Sequence, residues 1–384
     1  MPRHPDFAPA AARLPGSVYS LLEGHLSQYA GEVYPLHVGD TYLPPPEGCR
    51  MEDLTEAEHP GLHRYAPVAG LPALLEAIAA RTVARTGVPT APGDVLVATG
   101  ATGALGAVAG ALLAPGDEVL VLAPHWPLFP GIVSTFHATP VPVDVLGVEA
   151  PEALAARVRA RLTPRTAALY VNTPNNPTGH VLPRPLLEAL VGVAREAGLW
   201  LLADEVYELY AYAGPHVPLR ALAPERTFAV HSFSKAYGMA GNRLGWVVGP
   251  PGGALGPLRK VATHSYYSAP TAAQVAGARV LAEGRGDAWA ERAGRGYREV
   301  GEAVAHRLGV PPPQGGTFLF LDVAAHLDGA GLEGLLERCV GRGLLLAPGP
   351  SFGPYPAHLR LCFTAAPPDV VLRGAEVLAQ VLGR

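Results

Sequence analysis

The sequence predicts an α/β protein. A large domain over residues 46–286 carries a mostly parallel central sheet flanked by helices, and a smaller α+β domain is built from both ends of the chain, residues 1–45 and 287–384. Three observations predict it. Short, fully apolar runs alternate with Ala/Leu/Arg-rich stretches of helical length, the pattern of strands covered on both faces. That alternation gives way after about residue 285 to one long helical segment and then mixed strands and helices. A chain of 384 residues, 49% hydrophobic and 16% charged, is larger than one small core requires and too apolar for disorder.

The elements follow in order. A helical stretch near Val18–Tyr29 leads into a Pro/Gly-rich segment, Tyr34 to Gly48. Leu71–Arg85 places Leu71, Leu74, Leu75 and Ile78 at helical spacing, with Pro72 in its first turn. The apolar runs Asp94–Thr99, Glu118–Ala123, Ala168–Val171, Leu199–Ala203, Thr227–His231 and Leu244–Val248 read as buried strands. Beyond them come a helix over Asp287–Leu308, a strand over Thr317–Asp322 and a helix near Leu332–Gly341. A short strand at Leu344–Leu346, a Pro/Gly loop, a strand at Leu359–Thr364 and a helix over Asp369–Leu382 finish the chain. The Pro/Gly clusters are turns, and no internal repeat is present.

Composition excludes several functions. A formal net charge of −4 and a pI of about 6.4 leave no basic face for nucleic acid. No uninterrupted apolar run reaches membrane-spanning length, and Met1–Arg13 lacks the apolar core of a signal peptide. The three cysteines, Cys49, Cys339 and Cys362, have neither CxxC spacing nor partnered histidines. They read as reduced thiols of a cytoplasmic protein, with no metal site.

Lysine is rare. It occurs only at Lys235 and Lys260, and the other 27 of the 29 basic residues are arginine. A guanidinium does not deprotonate usefully, whereas lysine can act as a neutral amine nucleophile. Lys260, beside Arg259, reads as a chance survivor. Lys235 sits in the most informative segment, His231-Ser232-Phe233-Ser234-Lys235-Ala236-Tyr237-Gly238-Met239-Ala240-Gly241-Asn242-Arg243. Two hydroxyls, one lysine and one arginine converge there, after a strand and before a helical turn. Such a loop suits an aldehyde that carries a phosphate: the amine condenses with the aldehyde, and the serines and Arg243 bind phosphate oxygens.

Three further segments end strands. Trp200-Leu201-Leu202-Ala203-Asp204-Glu205-Val206-Tyr207 brings a carboxylate and a phenol to the carboxyl end of a strand, where ligands of parallel sheets bind. Asp204 there can pair with a pyridinium nitrogen, and Tyr207 can reach a ring oxygen. Tyr170-Val171-Asn172-Thr173-Pro174-Asn175-Asn176-Pro177-Thr178-Gly179 makes a rigid turn that offers the Asn176 amide. Thr99-Gly100-Ala101-Thr102-Gly103-Ala104-Leu105-Gly106 opens a helix with small residues and exposes backbone N–H groups to a phosphate. This last loop also fits a dinucleotide-dependent reductase. That rival wants the loop near the chain start, and the Tyr-x-x-x-Lys pair of short-chain dehydrogenases is absent: His231 and Gly256 precede the two lysines by four.

Together these segments resemble the class I/II aminotransferases of pyridoxal-5′-phosphate (PLP) fold type I, aspartate aminotransferase-like. Asn-Asn-Pro-Thr-Gly, Asp-Glu-Val-Tyr and Ser-Phe-Ser-Lys occur in the family's order across nearly the whole chain. The resemblance implies a large PLP-binding domain, a Schiff base on Lys235, Asp204 on the pyridine nitrogen, and Tyr207 and Asn176 at the phenolic oxygen. Ser232, Ser234, Arg243 and the Gly100–Ala101–Thr102 backbone would hold the phosphate, and Trp126, in Pro-His-Trp-Pro, would stack on the ring. Arg360, in Leu-Arg-Leu-Cys-Phe-Thr, resembles the arginine that clamps the substrate carboxylate, with Asn176 and Gly39 beside the substrate. Tyr65, in His-Arg-Tyr-Ala-Pro, resembles the tyrosine that crosses to the other subunit's phosphate, which implies a homodimer.

The implied activity is transamination between an L-amino acid, neutral or aromatic, and a 2-oxo acid. A PLP site also serves β-elimination, so a C–S β-lyase is the alternative; a non-catalytic PLP-fold module is disfavoured because no DNA-binding segment precedes the fold. His37, Tyr42, His125, Tyr266 and Tyr267 are candidate walls of the side-chain pocket.

Overall fold

The computed structural model describes residues 29–253 and 255–384, with Ala11 and Leu14; the helix expected near Val18–Tyr29 lies almost wholly outside them. The first strand, β1 (Tyr34–Pro35), precedes helix α1 (Pro72–Thr86), which starts on the proline that favours a first turn and ends on left-handed Gly87. Then come β2 (Val95–Ala98), α2 (Gly100–Leu112), β3 (Glu118–Ala123), α3 (Phe129–Thr135), β4 (Thr139–Asp144), α4 (Pro151–Arg159), β5 (Thr166–Asn172), α5 (Arg184–Glu196) and β6 (Trp200–Asp204). Short α6 (Leu219–Leu222) leads to β7 (Thr227–Ser232), α7 (Phe233–Ala236), β8 (Gly245–Val248), α8 (Gly256–Ser265) and α9 (Thr271–Leu281). The last part holds α10 (Arg285–Leu308), β9 (Phe318–Asp322), α11 (Gly331–Val340), β10 (Leu344–Leu345), β11 (Ala347–Pro348), β12 (His358–Cys362) and α12 (Pro368–Val381).

Seven strands form the central sheet in the order β2-β8-β7-β6-β5-β3-β4. β4, β3, β5, β6 and β7 run parallel, and β8 runs against both its neighbours. The six apolar runs of the sequence are six of these strands. The seventh, β4, escapes that reading because Thr-Pro-Val-Pro-Val-Asp carries two prolines and is mostly part-exposed. It is an edge strand bonded only to β3, the one position in a sheet where missing N–H donors cost little.

Alternation along the strands sorts the side chains between two layers. Leu120, Leu122, Leu169, Val171, Leu201 and Ala203 pack under α4 and α5. Val119, Val121, Ala168, Tyr170, Leu202, Phe228 and Val230 pack under α2, α3 and α8. Because the side-chain period is two, Asn172, Asp204 and Ser232, at the carboxyl ends of β5, β6 and β7, share the face of Tyr170, Leu202 and Val230, on which α2 begins.

A separate core joins α10, α11 and α12 to a three-stranded antiparallel sheet, β11-β12-β9, and includes Leu36 beside the small parallel pair β1–β10. In that sheet Arg360 of β12 faces Phe320 of β9. Helix α10 links the cores: Ala290 belongs to the core of Phe233 and Trp246, and Ala293, nearly one turn on, to the core of Tyr210 and Phe318. No helix among the described residues is long and apolar enough to cross a membrane.

Candidate active site

One cavity of about 250 Å³ opens at the carboxyl ends of β5, β6 and β7. Val38, Gly39, Ala101, Thr102, Trp126, Asn172, Asn176, Asp204, Val206, Tyr207, Ser232, Ser234, Lys235, Arg243 and Arg360 line it. Every residue expected to hold the cofactor or the substrate is in this lining except Gly100 and Tyr65. Gly100 lies directly behind it, against Arg243. Tyr65 is far more exposed, at 86%, and its ring stands edge-on to Tyr267, 5.0 Å between centroids.

Lys235 lies on α7, one turn of helix immediately after β7. Ser232 caps that turn by accepting from the Ser234 N–H at 3.0 Å, and the Tyr210 hydroxyl braces it by donating to the carbonyls of Lys235 and Ala236, both at 3.1 Å. The amine of Lys235 donates to the Gly39 carbonyl and lies 3.7 Å from the Asp40 carboxylate. Burial lowers the pKa of this ammonium, and Asp40 works in the opposite direction. A lysine biased towards its neutral amine is what a nucleophile or a proton carrier requires.

Asp204 is buried, and burial raises its pKa to about 6 against the opposing hydrogen bond from Tyr170. The Tyr170 hydroxyl donates to Asp204 Oδ2 at 2.6 Å, and the Val206 N–H donates to Oδ1 at 3.4 Å. Asn172 ties the neighbouring motif to the same strand end: its amide donates to the Asp204 carbonyl at 2.9 Å, and its Oδ1 accepts from the Asn176 N–H at 2.7 Å. Tyr207, edge-on to Phe318, is buried enough to stay a neutral phenol.

Arg360 is 2% exposed. One terminal nitrogen donates to Asn176 Oδ1 at 2.9 Å and the other to the His37 carbonyl at 2.6 Å. The guanidinium carbon lies 4.3 Å from the Phe318 ring centre and 4.8 Å from that of Phe352. Aromatic faces and carbonyl oxygens both favour the charged guanidinium and fix its plane.

The residues fit a phosphorylated aldehyde. Arg243 takes a left-handed backbone (φ 50°) after a 3₁₀ turn, and its guanidinium lies against the first residue of α2. A Cβ at Gly100 would stand 2.6 Å from Arg243 Nη2, and one at Gly245 would meet the Ala101 nitrogen at 2.7 Å. Both positions need glycine so that β8, the helix N-terminus and the arginine can close on one spot. That spot joins a helix dipole, backbone N–H groups and a cation, which suits a phosphate dianion. The acid held at Asp204 and the amine at Lys235 complete the donor set for a pyridine aldehyde.

Sequence reasoning missed Asn172, Tyr170 and Asp40. The first two lie inside a quoted motif read only for its Asn176 amide, and the third adjoins Gly39. It also misjudged the pocket wall: none of His37, Tyr42, His125, Tyr266 and Tyr267 lines the cavity, whereas Val38, Val206 and Thr102 do. His37 contributes its backbone carbonyl to Arg360, and His125 precedes Trp126 with its own ring buried.

A fold that joins a parallel sheet to a small antiparallel one, with lysine, aspartate and two arginines at the junction, defines a class. The chain belongs to the aminotransferase class I and II family, which matches residues 32–378, and it is an aminotransferase; the family is PLP-dependent. It is 35% identical over 332 residues to the aspartate/prephenate aminotransferase of Thermus thermophilus, covering 84% of each chain. It is 35% identical over 340 residues to the arginine–pyruvate transaminase of Pseudomonas aeruginosa, covering 86% of this chain and 85% of the other. Its fold matches the solved structure of Thermus thermophilus aspartate aminotransferase with maleate at a TM-score of 0.89 and 30% identity, covering 98% and 100% of the two chains.

Proposed function

We propose that the cavity holds PLP on Lys235 and that the enzyme transfers the amino group of a neutral or aromatic L-amino acid to a 2-oxo acid. The observation that carries the reading is the meeting of one amine, one buried carboxylate and one buried guanidinium in a single cavity: Lys235, Asp204 and Arg360. When bound, PLP supplies an electron sink for the carbanion formed at the substrate's Cα. Lys235 Nζ would anchor the cofactor and, as a free amine, would carry the proton lifted from Cα. Asp204 would balance the charge of a protonated ring nitrogen, and Tyr207 and Asn176 would donate to the ring oxygen. Ser232, Ser234, Arg243 and the backbone of Gly100, Ala101 and Thr102 would hold the phosphate, and Trp126 would stack on the ring. Arg360 orients the substrate by a planar, two-pronged grip on its carboxylate, flanked by Asn176 and Gly39.

The substrate class rests on charge. Among the described residues, the cations lining the cavity are Lys235, Arg243 and Arg360, and each has a role already. A dicarboxylate would need a fourth. The different substrates in the names of the two relatives leave the side chain open at the level of the family.

We further propose that the enzyme works as a cytoplasmic homodimer. A tyrosine as exposed as Tyr65, outside its own cavity, suits a contact with a second copy. The division into residues 46–286 and the two ends is supported by the cores: three draw on residues 49–290, and the fourth on Leu36, two tyrosines and residues 293–382.

A donor panel with single-turnover analysis tests the reading. With the amino donor alone, each site should convert one donor to its 2-oxo acid and stop. Continuous release of ammonia and pyruvate would mean a β-lyase instead. Preferred turnover of aspartate or glutamate over leucine, phenylalanine and alanine would overturn the substrate assignment.

A further inference from the structure

We infer that Tyr355 and Asp144 form a latch that positions Arg360 for the substrate carboxylate. The inference rests on the reading of Arg360 as the carboxylate anchor. The Tyr355 hydroxyl donates to Asp144 Oδ1 at 2.7 Å, joining the loop before β12 to the last residue of β4 across 211 positions of sequence. A second bond lies beside it: the His125 N–H, just beyond β3, donates to the Phe352 carbonyl at 3.0 Å. These contacts tie the segment behind Arg360 to the edge of the central sheet.

The link from Tyr355 to Arg360 runs through aromatic rings. Tyr355 stands edge-on to Phe320, 5.6 Å between centroids, and Phe320 edge-on to Phe352 at 5.8 Å. The face of Phe352 lies 4.8 Å from the Arg360 guanidinium carbon, and Phe320 is the residue opposite Arg360 in the β9–β12 ladder. Ser232 ends β7 of the central sheet and Lys235 stands on the turn of helix that follows it, whereas Arg360 stands on the small sheet. An amino acid must reach Lys235 and Arg360 at once, so the setting of one sheet against the other decides its binding. A contact that favours the productive setting raises apparent affinity in proportion to the fraction of molecules that adopt it. The latch acts on substrate binding and not on the chemical step, and Tyr355 and Asp144 are positioning residues.

Tyr355→Phe keeps the ring and removes the hydroxyl. For one hydrogen bond, KM for both amino donor and 2-oxo acid should rise roughly three- to tenfold, with kcat changed by less than about twofold. Asp144→Ala should match it, Asp144→Asn should retain most of the affinity through its remaining carbonyl, and the Tyr355→Phe/Asp144→Ala pair should be no worse than either single variant. PLP affinity, followed by visible absorbance, and the melting temperature of the holoenzyme should stay unchanged. Arg360→Lys, run in parallel, separates the two readings. A large KM increase in Arg360→Lys with none in Tyr355→Phe would overturn the latch alone. An unchanged KM in Arg360→Lys would overturn the anchor and the latch with it. Loss of PLP affinity or melting temperature in Tyr355→Phe would show a merely structural bond and overturn the latch.

Discussion

Tyr170 and Asp204 meet through a 2.6 Å hydrogen bond inside the sheet, between adjacent strands β5 and β6 and beneath the cavity floor. The phenol is the strongest influence holding Asp204 ionised against the burial that raises its pKa. The pair is set by strand alternation: Tyr170 and Asn172 face the same way, and Asn172 lies in register with Asp204.

Tyr170→Phe should therefore raise the Asp204 pKa further. The acid limb of kcat/KM should move to higher pH, by up to about one unit, since a net hydrogen bond is worth 0.5–1.5 kcal/mol and one unit is 1.36. A pH–rate profile of the variant checks this. A limb that stays in place, or moves down, would show that Tyr170 does not support the charge.

The same burial makes Asp204 a liability in the cofactor-free protein. Its folded pKa of about 6 lies above the ordinary carboxyl value of 3.8, so the folded state binds the proton more tightly than the unfolded chain. The stability this confers is complete below about pH 4 and is lost as pH rises through 6. Asp204→Asn apoprotein should match wild type near pH 4 and exceed it at pH 7 by on the order of 2–3 kcal/mol. Denaturant melts of both apoproteins across pH would show it, and a variant less stable at pH 7 than at pH 4, relative to wild type, would contradict it.

Much of this site was legible in the sequence because its chemistry is local. Lys235, Ser232 and Ser234 share one turn, Asp204 and Tyr207 another, and Asn176 a third. Alternating apolar runs located six of seven central strands, and β4 was hidden by prolines that only an edge position tolerates. What did not show is what depends on distant pairing. Nothing in the sequence joins Tyr355 to Asp144, or Arg360 to Phe318 and the His37 carbonyl. The guessed pocket walls failed for the same reason: aromatic and histidine side chains were chosen by type, whereas the lining is decided by how β12 and the segment around Val38 pack on the central sheet.

Assembly gives a further prediction. If Tyr65 reaches a neighbour's phosphate site, Lys235→Ala and Tyr65→Phe subunits, each inactive or strongly impaired alone, should regain activity when mixed. One of the two hybrid sites then has both groups intact, so recovery should approach about a quarter of the wild-type level at equal mixing, from random pairing into closed two-fold dimers. Activity that stays at the sum of the parents, or full activity in a monomer by light scattering, would contradict a shared site.

The central claim is that Lys235 carries the cofactor, and borohydride reduction followed by peptide mapping tests it most directly. Reduction fixes the lysine–cofactor bond as a stable secondary amine. The label should fall on the peptide containing Ser232-Phe233-Ser234-Lys235, and Lys235→Ala and Lys235→Arg proteins should take up none, because a guanidinium does not replace the amine. Label on Lys260, or undiminished labelling of Lys235→Ala, would contradict the account.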